Sequence, residues 1–290
     1  MVLMKKDPLV SVIVPTYNRA HTLERTLGSI YAQTFHDYEI ILVDDGSTDG
    51  TGAFIEKLKR NTLKYVFQEN KGVAEARNTG VRTSSGTYVA FCDSDDFWLP
   101  KKLEKQMRLF TDDIALVYSD VYLFEDPARP KGKGYEFMTP YRGFVYAELL
   151  RKNFIGTSSV IVKKSHLNKP FAGQTCEDWQ MWLSVAKHGR FDYVDEPLVY
   201  YYEHSQGLSK SKARVLRARL AIRKQEIRSL QGETAVDREL MKDVNRLIKK
   251  DMLFLYLLKM LPEKIMKRID QIYYSSKVVR KVMTKTPLSS

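Results

Sequence analysis

Tyr88-Val89-Ala90-Phe91-Cys92-Asp93-Ser94-Asp95-Asp96 (residues 88–96) passes from an unbroken apolar run directly into three carboxylates. A short apolar run without polar alternation fits a strand covered on both faces, as in a parallel sheet. The carboxylates then fall just beyond the strand's carboxyl end, where open α/β sheets form their ligand crevices. Working outward, Val10–Val14, Ile40–Val43, Tyr65–Phe67 and Ala115–Tyr118 have the same strand character. Between them, Thr22–Gln33, Thr51–Leu58, Val73–Thr83 and Pro100–Phe110 carry apolar residues three or four apart, as helices do. Strands alternating with helices predict an α/β fold with a mainly parallel, Rossmann-like sheet and helices on both faces. Further on, Ser158–Val162 is strand-like, Trp179–Lys187 helical and Asp126–Gly134, with two prolines and two glycines, a loop.

Three strand ends carry polar clusters: Pro15-Thr16-Tyr17-Asn18, Asp44-Asp45-Gly46-Ser47 and Asp93-Ser94-Asp95-Asp96. On one sheet edge they converge. Asp93 and Asp95, two apart, suit Mg²⁺ or Mn²⁺, hard cations that bridge phosphate oxygens; the competing reading is an acidic loop capping the next helix. From Asp45 the spacing also imitates a calcium loop ending at Glu56, but a strand precedes it and Gly52 occupies the position that needs a branched apolar residue. The better reading is a turn in which the Asp45 carboxylate accepts a ring N–H from a base such as uracil. Tyr17 either stacks on that base or fills the sheet edge. Arg77 supports a phosphate or the base, or is a solvated helix side chain. In Glu177-Asp178-Trp179, Asp178 is either a general base or a helix cap beside a core tryptophan. His204, after the aromatic run Tyr200–Tyr202, is a candidate metal or phosphate ligand. A Gly-x-Ser-x-Gly elbow, a Walker loop and a dinucleotide glycine fingerprint are all missing.

Charge is unevenly placed along the chain. Its net +12 comes from 47 Lys+Arg and 35 Asp+Glu. Residues 205–290 hold 21 basic and 8 acidic residues, or +13, which leaves 26 and 27, or −1, in the first 204. A neutral, acid-clustered body argues against a nucleic-acid partner. Two cysteines, Cys92 and Cys176, make no disulfide framework and read as core thiols of a reducing compartment. Lys5 and Lys6 precede no secretory leader, because Asp7 and Pro8 interrupt the apolar stretch.

Taken together, the segments Val10–Asn18, Ile41–Asp49, Asn70-Lys71-Gly72 through Arg77–Gly80, Phe91–Asp96 with Trp98-Leu99-Pro100, and Glu177-Asp178-Trp179 resemble glycosyltransferase family 2, in the family's order and over about the first 205 residues. The resemblance implies a GT-A catalytic domain over 1–205, with a nucleotide-sugar half (1–96) and an acceptor half (97–205). It implies an inverting, metal-dependent transfer from a nucleotide diphosphate sugar, with uridine diphosphate favoured. The implied donor set is Pro15, Thr16, Tyr17, Asp45, Arg77, Asp93 and Ser94, with Asp95 and His204 on Mg²⁺ or Mn²⁺ and Asp178 as the base. The implied acceptor is a saccharide or lipid-linked hydroxyl in surface glycan synthesis. The processive synthases' Gln-x-x-Arg-Trp motif and transmembrane helices are missing, which favours addition of one or a few sugars. Competing classes are a sugar nucleotidyltransferase, which usually carries a glycine-rich basic signature, and a binding protein that has lost catalysis.

Residues 206–290 read as a helical basic extension. Ile265, Ile269, Ile272, Val279 and Met283 recur at helical spacing among lysines and arginines. That pattern suits an anionic membrane surface and a cytoplasmic enzyme held at the inner face of the cell membrane. The alternative is a helical subdomain packed on the body or in a homodimer. Met252–Leu258 is apolar but too short to span a bilayer.

Overall fold

A computed structural model of the 290-residue chain describes residues 7–58, 62–126, 129–134, 139–202, 211–230 and 234–260. Its strands are β1 (Val10–Thr16), β2 (Tyr38–Asp44), β3 (Leu63–Phe67), β4 (Tyr88–Phe91), β5 (Phe97–Trp98), β6 (Ile114–Asp126), β7 (Arg129–Lys133), β8 (Ile161–Lys163) and β9 (Arg190–Tyr202). Its helices are α1 (Ala20–Tyr31), α2 (Thr51–Leu58), α3 (Val73–Thr83), α4 (Lys102–Met107), α5 (Tyr146–Arg151), α6 (Glu177–Ala186), α7 (Lys212–Ser229) and α8 (Ala235–Met260).

The strands form one sheet in the order β3-β2-β1-β4-β8-β6-β9-β5, with β7 paired to β6. The first four run parallel, β1 lying between β2 and β4. In β1, β2 and β4, Val10, Val12–Val14, Ile40–Val43 and Val89–Phe91 are fully buried, as apolar runs without alternation require, whereas β3, at the sheet's edge, leaves Tyr65 and Phe67 exposed. Parallel pairing does not continue across the sheet, because the short antiparallel β8 separates β4 from β6. β6 and β9 then pair in parallel with three register shifts. The 126–134 stretch, expected as a loop, contains β7, whose antiparallel pairing with the far end of β6 accommodates its proline and glycine through bulges.

Helix α1 buries Leu23, Leu27 and Ile30 at positions one turn apart, with Thr22 and Thr26 on the same side. Helix α3 approaches β1 closely at Gly80, where an added Cβ would lie 2.4 Å from Ile13 Cγ2. The missing side chain therefore sets how near α3, and Arg77 one turn earlier, can come to the sheet.

Two compact units divide the chain, Met1–Val145 with Phe154–His204, and Tyr146–Asn153 with Ser205–Ser290. The whole sheet belongs to the first. In the second, α7 and α8 pack together and α5 joins α8. Its interior holds Leu216, Leu220, Leu240, Val244 and Phe254, together with a buried Arg223–Asp251 ion pair. Arg223 also donates to the carbonyls of Leu150 and Arg151, so the buried guanidinium is satisfied. The amphipathic pattern at 265–283 lies outside the described residues.

Replacing Gly80 with alanine should lower the unfolding free energy by about 1–3 kcal/mol through overpacking against Ile13. Urea unfolding of the parent and Gly80→Ala proteins measures the difference, and unchanged midpoints would show that α3 can shift without strain.

Candidate active site

The carboxyl ends of β1, β2 and β4 lie side by side in register, Thr16 beside Asp44 and Ile13 beside Phe91. The three polar clusters that follow these strands are thereby brought to one sheet edge. The first two are cross-tied. Asn18, with φ 51°, donates its N–H to Ser47 Oγ at 2.8 Å and accepts Thr48 N–H on Oδ1 at 2.8 Å. Asp49 Oδ2 accepts the Ala20 N–H at 3.0 Å. Tyr17, between these ties, is 49% exposed and so does not fill the sheet edge. Thr16 is buried.

Asp45 is buried and accepts three protein hydrogen bonds. Gln68 Nε2 and Lys71 N–H reach Oδ1 at 2.7 and 2.9 Å, and Gly72 N–H reaches Oδ2 at 2.8 Å. The carboxylate thus satisfies backbone donors at the start of α3, where a negative charge is also favoured by the helix dipole. Of roughly four lone-pair directions on a carboxylate, one remains for a ligand N–H. Gly46, at φ +83°, lies against Asn70 so closely that a Cβ would come 2.9 Å from its nitrogen.

Around the Asp93–Asp96 cluster, α1 holds the backbone. Thr22 and Thr26 donate to the Ser94 carbonyl at 2.7 and 3.1 Å, and Thr26 also donates to the Asp96 carbonyl. Arg25 donates to the Asp95 carbonyl, and Arg19 Nε lies 3.6 Å from Asp95 Oδ2. Asp96 itself turns inward: Ser158 donates to Oδ2 and the Tyr202 N–H to Oδ1 at 2.9 Å, while Ser158 Oγ accepts the Asp93 N–H. Burial, followed by the charges of Asp95 and Asp93, pushes the Asp96 carboxyl well above its ordinary range.

Arg77 joins the two acidic sites. It is 3% exposed rather than solvated. Nη2 donates to Asp93 Oδ1 at 2.7 Å, and Nη1 bonds Glu177 Oε1. Burial works against the charge, but Asp93 and Glu177 outweigh it and hold the guanidinium firmly protonated. Beside Glu177, Asp178 is the second residue of α6; Cys176 holds the N-cap position and makes no side-chain cap, so Asp178 is not the helix cap. Its carboxylate accepts Thr157 Oγ at 3.0 Å and Trp179 N–H at 2.7 Å. Burial and then the Glu177 charge push it up to about 6, with Arg77 opposing. The half-buried Tyr201 hydroxyl feels its own burial first and then Asp96, Asp93, Asp178 and Asp95 together, and is raised.

Tyr17, Asp45, Asp93 and Asp95 thus follow adjacent strand ends of one unit, and Arg77 ties Asp93 to Glu177 beside Asp178, while His204 lies outside the described residues. Sequence reading missed Glu177 as the second anchor of Arg77, although it adjoins Asp178, and missed Arg19, Asp96, Thr157 and Ser158. No short spacing marks Ser158, which meets Asp96 only through the pairing of β8 beside β4. Of the two thiols, Cys92 is a core thiol, with burial raising it, whereas Cys176 is half-buried. Among the described residues no three metal-ligating side chains come together. The donor set at Asp93 and Asp95, two partly exposed carboxylates, fits an oxygen-seeking cation that completes its shell with phosphate and water.

Comparison with known proteins agrees in fold and family. UDP-Glc:alpha-D-GlcNAc-diphosphoundecaprenol beta-1,3-glucosyltransferase WfgD of Escherichia coli is 32% identical over 194 residues, 65% of this chain and 74% of that protein. The putative teichuronic acid biosynthesis glycosyltransferase TuaG of Bacillus subtilis (strain 168) is 33% identical over 213 residues, 71% of this chain and 83% of that protein. The mannosyltransferase PcManGT from Pyrobaculum calidifontis, solved with GDP-Man and Mn²⁺, superposes with a TM-score of 0.64 at 19% identity, over 96% of this chain and 84% of that one; at that identity it speaks for the GT-A fold alone. The profile of Glycosyl transferase family 2 matches residues 11–169, more than half of the sequence, and the chain belongs to that family as a glycosyltransferase.

Proposed function

We propose that the enzyme transfers a sugar, with inversion, from a UDP-sugar to a hydroxyl of a saccharide or lipid-linked acceptor in surface glycan synthesis, one or a few sugars at a time. The observation that carries this reading is Arg77, bonded at once to Asp93 beside the donor clusters and to Glu177 beside Asp178. One rigid cation links a donor-side acid to a second acidic pair whose outer member keeps its carboxylate available. The relatives add support, since WfgD is named for UDP-Glc and a diphosphoundecaprenol-linked acceptor.

In this reading residues 1–205 are the catalytic domain and 206–290 a basic extension that brings it to the inner face of the cell membrane. Tyr17 stacks on the base, whose N–H meets the remaining lone pair of Asp45. Pro15, Thr16 and Ser94 shape the donor cleft. Asp93 and Asp95, with His204, would hold Mg²⁺ or Mn²⁺, which when bound neutralises charge on a departing diphosphate. Asp178 takes the proton of the acceptor hydroxyl as that oxygen attacks the anomeric carbon from the face opposite the diphosphate. A single base without a separate nucleophile is what inversion needs. Arg77 keeps Asp93 and the 177–178 pair at fixed separation, so orientation is prepaid by the fold.

Asp178→Asn should cut transfer by about 10²-fold or more while leaving nucleotide affinity nearly unchanged. Product release and calorimetry on the folded variant test this, and near-parental turnover removes Asp178 as the base.

A base must be unprotonated to act. Because the Asp178 carboxyl is raised to about 6, kcat/KM should fall roughly tenfold per pH unit below that value and level off above it. An acidic limb centred near an ordinary aspartate's range would contradict the assignment.

Calorimetry should show UDP binding more tightly than ADP, and more tightly with Mn²⁺ than with a chelator. Asp95→Ala should remove the metal dependence. Equal affinities with and without metal would overturn the role of Asp95, and an adenine preference that of Asp45.

A further inference from the structure

Helix α8 presents two different faces. Inward, Leu240, Val244, Leu247, Ile248, Asp251 and Phe254 are buried at three- and four-residue intervals, and Phe254 packs with Leu216. Outward, Met252, Leu253, Tyr256 and Met260 are between 50% and 62% exposed. Two to three turns earlier the same outward face carries Lys242, Arg246 and Lys249, all exposed. At 100° per residue these seven side chains fall within a stripe about 120° wide. The acidic residues of this stretch are buried: Asp251 pairs with Arg223, and Asp243 pairs with Arg151 at 3.2 Å and, from the outward face, with Arg246 at 3.6 Å. The outward face is therefore cationic first and apolar after, with no exposed carboxylate from Lys242 to Met260.

That order of charge and apolarity selects among occupants. Two copies meeting through this face would set the lysines either against their own counterparts or against the partner's apolar end. Either way cations would lose water without gaining a carboxylate, which is costly. A lipid surface offers anionic headgroups to the first half and the acyl boundary to the second. The apolar portion spans roughly 12 Å of helix axis, enough for shallow insertion and far short of a bilayer crossing. Among the described residues no helix is long and apolar enough to cross a membrane. The sequence after Met260 adds seven basic and two acidic residues, a field of the same sign.

We propose that this face of α8 docks on an anionic lipid surface, with Lys242, Arg246 and Lys249 at the headgroups and Met252, Leu253, Tyr256 and Met260 entering the interface. Docking deepens the lipid-linked acceptor reading above, and vesicle binding is measured without donor or transfer, so either can fail alone.

The experiment uses the full chain and vesicles of phosphatidylglycerol with phosphatidylcholine, or phosphatidylcholine alone, at low and raised salt. Parent protein should float with the anionic vesicles and be released as salt rises. The double variant Leu253→Glu/Tyr256→Glu, shown to be folded by its thermal unfolding, should bind roughly tenfold or more weakly. In a Tyr256→Trp protein the introduced indole should shift its emission to the blue and be quenched by brominated lipid, whereas the native Trp98, Trp179 and Trp182 are buried. Vesicle binding by the double variant equal to the parent's would overturn the proposal and move the contact to residues 261–290. So would an unquenched indole, or a parent dimer that the double variant dissociates.

Discussion

A guanidinium buried in the middle of a protein must be paired, because removing an uncompensated charge from water costs several kcal/mol. Arg77 meets that requirement with Asp93 on one side and Glu177 on the other. The two acids are separated by 84 positions in the chain, yet neither can move far without leaving the cation unsatisfied. The position of α6 relative to the end of β4 is thus tied to one side chain of α3. The closeness of α3 to β1 at Gly80 supports the same arrangement from behind.

Around that pair the loops at the sheet edge are held by short polar residues. Asn18, Ser47, Thr48 and Asp49 join the turns after β1 and β2, and Thr22 and Thr26 fasten the 94–96 backbone to α1. Asp45 closes the start of α3 and Asp96 joins Ser158 to the end of β9. Carboxylates in this region accordingly divide into two kinds. Asp45 and Asp96 are buried with their hydrogen bonds to the protein, whereas Asp93, Asp95 and Asp178 keep partial access to solvent. Preorganisation of the second group by the first is how a site on loops can be rigid.

The second unit solves a different problem with related means. Its small apolar interior is completed by the Arg223–Asp251 pair and by Arg223's bonds to backbone carbonyls at the end of α5. Arg151 and Asp243 form another such pair. By drawing Asp243 and Asp251 inward, α8 leaves Lys242, Arg246 and Lys249 on its outward face, so internal pairing decides where the positive charge of this region shows.

The sequence by itself determined the strand–helix alternation, because buried parallel strands must be apolar throughout and their ends polar. The placement of Tyr17, Asp93 and Asp95 beyond strand ends, and of Asp178 at the start of a helix, was legible for that reason. What lay far apart in the chain was decided by tertiary structure alone. Arg77 read either as a donor ligand or as a solvated helix residue until α6 brought Glu177 to it. The outward half of Met252–Leu258 could not be told from the inward half without the partner helix, since helical spacing fixes faces but not which face is covered. Asp45 read as a ligand acceptor, and only the fold revealed that three protein donors already occupy it. Local pattern reports how a segment satisfies its own backbone and apolar surface, whereas pairing of buried charge is a long-range condition that spacing along the chain does not record.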